Sequence, residues 1–292
     1  AIEKGKEVDA DIIMASDPDA DRLGVAVKND KGEFVLINGN QIAILLLNYI
    51  MTRSREMGTL KGNEFIVKTI VTSELIKTIA DKNDIKCYDC YTGFKWIASV
   101  IRELEGKERY IGGGEESYGF LVEDFVRDKD AVSAIPMMAE AAAWAKENGK
   151  SVYEMLQDIY VKYGFSKEKG ISVVRKGKSG AEEIEAMMKN FRANPLSEIA
   201  GSKVVLIKDF ATLKGTDVIA GETYTLDMPT TANVIQYFTE DGTKVSIRPS
   251  GTEPKIKFYV EVRGTLSSPA EYEAVNAQAE DKIKAVAASL GV

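Results

Sequence analysis

The chain has 292 residues, 45% of them hydrophobic and 28% charged, with a formal net charge of −7 and no histidine. That length favours two or three domains with separate cores. The acidic balance argues against nucleic-acid binding, which needs a clustered basic face, and the lack of histidine removes Ser-His-Asp, Cys-His and all other imidazole chemistry.

The longest apolar stretch, Gln41 to Met51, falls well short of the roughly 20 residues that span a bilayer, and no charged-then-apolar leader opens the chain. A soluble cytoplasmic protein without membrane contact is expected. Cys87 and Cys90 are the only cysteines. A C-x-x-C pair can be a redox motif or half a zinc site, but there is no second pair. The segment Ile85 to Tyr91 reads as a strand, which points the two thiols to opposite faces and favours two reduced, structural cysteines.

Taken in order, Ala1 to Ala10 is polar. Asp11 to Ala15 and Leu23 to Val27 read as strands whose sheet has earlier partners upstream of Ala1. Glu33 to Ile37 is a third strand, Asn38-Gly39-Asn40 a turn and cap, and Gln41 to Glu56 a helix too apolar to lie on the surface. Met57 to Asn63 is polar and marks a boundary. Phe65 to Val71 predicts a strand, Glu74 to Asp81 a helix capped by Ser73, Ile85 to Tyr91 a strand, and the stretch to about Glu103 a helix. Tyr110-Ile111 is a short strand end, and Gly112 to Phe120 a loop. Strands alternating with helices imply a parallel sheet. Asp130 to Glu147 is a long helix, and Ser151 with Glu154 opens another that Gly164 stops. Ser166 to Gly170 is the second polar boundary. Beyond it come strands at 171–175, 204–208 and 234–238, a helix at 181–192, a final strand pair at 244–247 and 255–262, and a closing helix from Pro269 to Leu290: a compact antiparallel α+β unit.

Four loops can carry chemistry. In the first, Asp17, Asp19 and Asp21 alternate with small residues between two strands, and Arg22 follows. Carboxylates so close raise one another's pKa unless a cation neutralises them, and oxygen-only ligation suits Mg²⁺. An EF-hand would need Gly and a bidentate acid where Arg22 and Lys28 stand. A solvated acidic turn is the alternative. Gly114-Glu115-Glu116-Ser117 lies beyond the carboxyl end of a strand, where open parallel sheets bind ligands, or is a glycine turn with solvated acids. Thr92-Gly93-Phe94-Lys95 by itself reads as a capped helix start, and Arg127 to Asp130 as a charged helix entry. Arg248 to Lys255 joins two strands with a guanidinium, two hydroxyls and a glycine amide that can meet an anion. It is a phosphate cradle or a plain hairpin turn.

The segments DPDADRLGVAV, TGFKWI, GEESYG and RPSGTEPK, in this order, resemble the loops of the α-D-phosphohexomutases, the phosphoglucomutase and phosphomannomutase family, and the resemblance covers essentially the whole chain. It implies an α/β fold: parallel mixed-sheet domains followed by a C-terminal α+β domain with an antiparallel sheet. Residues 1–58 would close the family's second domain, 59–165 form its third and 166–292 its fourth. It implies Asp17, Asp19 and Asp21 as Mg²⁺ ligands, with Arg22 and Lys129 near the reacting phosphoryl group. Glu115 and Ser117 would bind adjacent sugar hydroxyls and Thr92, Gly93 and Lys95 orient the hexose. Arg248, Ser250, Gly251 and Thr252 would hold the idle phosphate, with Lys255 and Lys257 as weaker candidates.

The implied reaction interconverts hexose 1-phosphate and hexose 6-phosphate through a 1,6-bisphosphate, using an enzyme phosphoserine. The partners would be glucose 1-phosphate, glucose 6-phosphate, glucose 1,6-bisphosphate and the missing N-terminal half of the enzyme. TGFKWI and GEESYG lean toward the phosphoglucomutase branch. One part departs from the family: its donor serine sits in a Ser-His-Asn-Pro-like loop, which a sequence without histidine cannot contain. The expectation is therefore a portion of the enzyme, inactive alone. Two rival readings are an aspartyl-phosphate phosphatase with Asp17 as nucleophile and a sugar-phosphate binding module without chemistry.

Overall fold

The computed structural model describes every residue of the chain except Lys176 and Thr252, and only the backbone of Lys178. The chain divides into two compact units, residues 1–164 with 266–270, and residues 165–265 with 271–292.

The first unit opens with a short helix, α1 (Ile2–Glu7), which the polar sequence did not announce. Ion pairs Lys4–Glu7 and Glu3–Lys6 run along it. Its buried Gly5 lies so close to Ile13 that a Cβ would stand 2.4 Å from the Ile13 side chain. Strands β1 (Ile12–Ser16), β2 (Leu23–Lys28) and β3 (Phe34–Ile37) form an antiparallel sheet. Ser16 opposite Leu23 closes the β1–β2 ladder and leaves residues 17–22 as its loop.

Helix α2 (Gly39–Glu56) starts at a capping box between Asn38 and Gln41 and buries Ile42 to Leu47 without a break. A helix apolar around its circumference has to be covered on all sides. A four-stranded sheet follows, from β4 (Glu64–Thr69), β5 (Lys86–Cys90), β6 (Arg109–Gly114) and β7 (Phe120–Val122), in the order β5-β4-β6-β7. β5 and β6 run parallel to β4, and β7 is antiparallel. The crossovers are α3 (Glu74–Lys82) and α4 (Phe94–Leu104). One face packs Phe65, Val67, Phe94, Ile97, Ile101, Tyr110 and Leu121 into a core. Buried Lys68 is held by Glu74 at 3.0 Å and Asp89 at 2.8 Å. Helices α5 (Ala131–Glu147), capped by Asp130, and α6 (Val152–Tyr163) complete the unit.

The glycine run departs from expectation. Gly112 to Gly114 are the end of β6, and the loop begins only at Glu115. A Cβ on Gly113 would sit 2.3 Å from the Val67 carbonyl oxygen, so the glycines serve close packing inside a sheet.

In the second unit, β8 (Phe165–Val174), β9 (Glu198–Ile199), β10 (Ser202–Asp209), β11 (Lys214–Asp217), β12 (Glu222–Thr225), β13 (Ile235–Thr239), β14 (Lys244–Pro249) and β15 (Lys255–Gly264) form one antiparallel sheet. Its order is β12-β11-β10-β13-β14-β15-β8, with β9 beside β10. Helices α7 (Gly177–Ala193) and α8 (Tyr272–Ser289) belong to the same unit. Phe191 meets Phe258 edge to face at 6.2 Å, and the Tyr237 hydroxyl donates to the Phe191 carbonyl at 2.6 Å. The stretch 166–170, expected as a polar boundary, is ladder: β8 pairs with β15 from Phe165 to Val174. Among the described residues no helix is long and apolar enough to cross a membrane.

Candidate functional site

The acidic loop is tied down by its own backbone. The Ala20 amide donates to the Asp17 carbonyl at 3.0 Å. Asp17 Oδ1 accepts the amides of Asp21 at 3.2 Å and Arg22 at 3.3 Å. Burial works to raise the Asp17 pKa, but the amides of Arg22 and Asp21 outweigh it and hold the carboxyl below its ordinary value. Asp19 is exposed at the tip, and Ala20 takes a left-handed turn with φ 56°.

Asp21 faces inward. Its Oδ2 lies 2.7 Å from Lys129 Nζ, while its buried Oδ1 has no hydrogen-bond partner and the Arg22 Nε is 3.8 Å away. Burial pulls the Lys129 pKa down, yet the Asp21 hydrogen bond and the Asp128 and Asp21 charges raise it overall, so the ammonium stays charged at neutral pH. A buried, unpartnered carboxylate oxygen in an all-oxygen set suits a hard divalent cation. No three acidic side chains among the described residues are gathered into a ready ligand group.

The second loop is pinned to the first. The Leu23 amide donates to the Tyr118 carbonyl at 3.1 Å, and Arg22 and Gly119 form an antiparallel bridge. The Ala131 amide donates to the Ala20 carbonyl at 3.1 Å, and the Asp130 amide to Phe120 at 2.8 Å. The Lys129 stem runs across Gly119, where a Cβ would stand 2.8 Å from Lys129 Cδ. Within the second loop, the Glu115 amide donates to the Gly119 carbonyl at 2.8 Å. Glu115 Oε1 accepts the Gly93 amide at 2.7 Å, which draws the start of α4 to the same end of the sheet. Glu115 is buried, Ser117 half-buried, and Tyr118 exposed in a left-handed conformation with φ 72°. Thr92 is half-buried, and Lys95 is exposed with its ammonium 5.3 Å from the Trp96 ring.

The structure thus brings Asp17, Asp21, Arg22, Lys129, Gly93, Glu115 and Ser117 into one neighbourhood beyond the carboxyl ends of β5 and β6. The bridging role of Gly119 and the Glu115–Gly93 bond escaped sequence reasoning, because backbone pairing between distant loops leaves no mark in residue type.

In the second unit, the loop between β14 and β15 is closed by the Ser250 amide donating to Lys255 at 2.8 Å and the Glu253 amide to Ser250 Oγ at 3.3 Å. Arg248 opposes Lys257 across the ladder, so their side chains leave the same face. Lys255 is ion-paired with Glu253, whereas Arg248 makes no ion pair with any described residue. Gly251 is exposed, and Thr252 lies outside the described residues.

Residues 38–163 match the phosphoglucomutase/phosphomannomutase alpha/beta/alpha domain III, and residues 171–279 match the phosphoglucomutase/phosphomannomutase C-terminal domain. The chain belongs to this family, the α-D-phosphohexomutases. It is 40% identical over 270 residues to a phosphoglucomutase of Staphylococcus aureus N315, covering 90% of this chain and 47% of that relative. The Staphylococcus epidermidis phosphoglucomutase (strain ATCC 35984) is 40% identical over 260 residues, covering 89% of this chain and 46% of the relative. The chain spans about half the length of the curated relatives it matches. Solved structures share the fold. The exocytosis-sensitive phosphoprotein pp63/parafusin from Paramecium, a phosphoglucomutase, aligns with TM-score 0.60 and 18% identity over 98% of this chain and 48% of its own. A phosphoglucomutase/phosphomannomutase family protein from Burkholderia thailandensis gives 0.59 and 16% over 99% and 49%.

Proposed function

We propose that these residues supply the cation-holding, sugar-recognising and phosphate-anchoring parts of a phosphohexomutase that interconverts hexose 1-phosphates and hexose 6-phosphates through a hexose 1,6-bisphosphate. Glucose 1-phosphate and glucose 6-phosphate are the first substrates to test. The supporting observation is the backbone ladder of Arg22 and Leu23 with Tyr118 and Gly119, which sets the acidic loop against the loop of Glu115 and Ser117. We assign residues 38–163 to the family's third domain and 171–279 to its fourth, with the residues before 38 closing its second, so the first boundary falls ahead of the one expected after residue 58.

In this reading Glu115 and Ser117 hydrogen-bond two adjacent sugar hydroxyls, while Thr92, Gly93 and Lys95 border the ring. Lys129, charged at neutral pH, cannot act as a base there. With Arg22 it is a fixed positive group facing the phosphoryl in transit. Magnesium held by Asp17, Asp19 and Asp21 would add a hard positive charge at the same place. Arg248, Ser250, Gly251 and Thr252 grip the phosphate that is not being transferred. The phosphoryl donor is a serine outside these residues, since the Ser-His-Asn-Pro-like loop needs a histidine they lack.

The test is a mutase assay on the purified chain alone and mixed with a polypeptide carrying the family's phosphoserine loop. Activity is expected only in the mixture. Full-enzyme activity from the chain alone would sink the missing-donor argument. Absence of hexose phosphate binding by calorimetry would sink the assignment.

A further inference from the structure

Helix α2 begins against the sugar-recognising loop more closely than any side chain allows. A Cβ built on Gly39 would stand 2.2 Å from the Glu116 carbonyl oxygen, 2.6 Å from the Tyr118 nitrogen and 2.8 Å from the Glu116 carbonyl carbon. All three are backbone atoms and cannot rotate aside. Gly39 is not left-handed, so another residue could adopt its dihedrals and only the space is lacking.

The helix offers no slack of its own. Asn38 and Gln41 close its capping box, Asn40 Oδ1 accepts the Ser73 amide at 3.0 Å, and Gln41 Nε2 donates to the Tyr160 hydroxyl at 3.4 Å. The four residues from Asn38 to Gln41 therefore fasten the start of α2 to the segment after β4 and to α6. On the far side of the loop, the Tyr118 carbonyl is held by Leu23 and the bulky Tyr118 is kept left-handed. A strained residue persists only where its surroundings over-determine it.

We infer that the amino-terminal turn of α2 is the seat on which residues 115–119 rest, and that Gly39 is a positioning residue setting the distance of Glu115 and Ser117 from the sugar. This deepens the function proposed above and rests on reading that loop as the one that meets hexose hydroxyls. An added methyl forces the 116–118 backbone to retreat by about 1 Å before ordinary contact of 3.4 Å is restored. The helix is not harmed, because alanine favours a helix over glycine.

The experiment compares Gly39→Ala with Gly32→Ala. Gly32 lies in the turn between β2 and β3 with φ 76° and open space around it, so alanine there costs backbone strain without touching the loop. Amide hydrogen exchange is followed at Leu23 and Glu115, which donate to Tyr118 and Gly119. Calorimetry measures glucose 6-phosphate against inorganic phosphate. Gly39→Ala is expected to speed exchange at both amides and to weaken glucose 6-phosphate binding about tenfold, the value of one lost hydrogen bond, with inorganic phosphate unchanged. Gly32→Ala is expected to do neither. Unchanged exchange in Gly39→Ala overturns the seat. Equal losses in both variants, or an equal loss for inorganic phosphate, show a general effect and overturn the positioning role. Should the wild type bind no glucose 6-phosphate, the functional reading and with it the role in sugar positioning fall, while the exchange comparison still decides whether the seat exists.

Discussion

Replacing Lys129 with methionine keeps the stem that crosses Gly119 and removes only the charge. The pair it breaks is largely enclosed, with side-chain exposures of 17% for Lys129 and 25% for Asp21 and a separation of 2.7 Å. At an effective dielectric near 20, two unit charges at that distance attract by about 6 kcal/mol, most of it cancelled by desolvation and lost rotamer freedom. A net loss of about 2 kcal/mol is expected, the cost of leaving a charged acceptor without its donor. Both tryptophans, Trp96 and Trp144, lie in the first unit, so urea unfolding followed by tryptophan fluorescence reports on that unit. In a chelator the Lys129→Met midpoint should fall. With millimolar magnesium the variant should regain more stability than the wild type, because the ammonium no longer competes for Asp21. The Lys129 contribution should be complete below the ordinary lysine value of 10.5 and fade as pH rises through its raised folded value. An unchanged midpoint in chelator, or identical magnesium gains in both proteins, would refute the reasoning.

Arg248→Ala should weaken phosphate ester binding by about 2 kcal/mol while leaving magnesium affinity intact, both read by calorimetry. Loss of magnesium affinity would contradict separate sites. Asp241 is opposed by burial, but Lys282, Thr239 and Thr243 hold its carboxyl well below the usual range. Asp241→Asn should therefore destabilise the second unit at neutral pH. The gap should close as pH drops below 3.8 toward the depressed folded value, as seen by circular dichroism. Burial pushes the Cys87 thiol up to about 12 and raises Cys90 as well. A disulfide reagent at roughly pH 8 should label neither in the native protein and both in denaturant; rapid native labelling would show the strand to be open.

The acidic loop was legible because its three aspartates are dense and stand between two short apolar runs that read as strands. The helix starts were legible from their caps, as at Asn38, Ser73 and Ser151. The first half of the strand through 165–174 was not, although a strand from 171 was expected. Its alternating charges suggest a solvated link, whereas Lys167 and Lys169 both pair with Glu280 on α8. A polar pattern cannot show that its partner lies over a hundred residues away. The β11–β12 hairpin was missed for a related reason: β12 is exposed throughout and carries no buried face to set a period of two. The glycine run misled because glycine marks turns and tight packing alike, and only the neighbouring strand distinguishes them.

The bridge between Arg22 and Gly119 bears on any attempt to transplant the loop of residues 115–119. A chimaera that imports residues 115–119 from a cousin brings new carbonyls to a splice already stitched to Leu23 and bedded on Gly39. Donor and recipient would have to be exchanged as a three-part graft, from the hairpin, the helix start and the loop together, for the seam to hold.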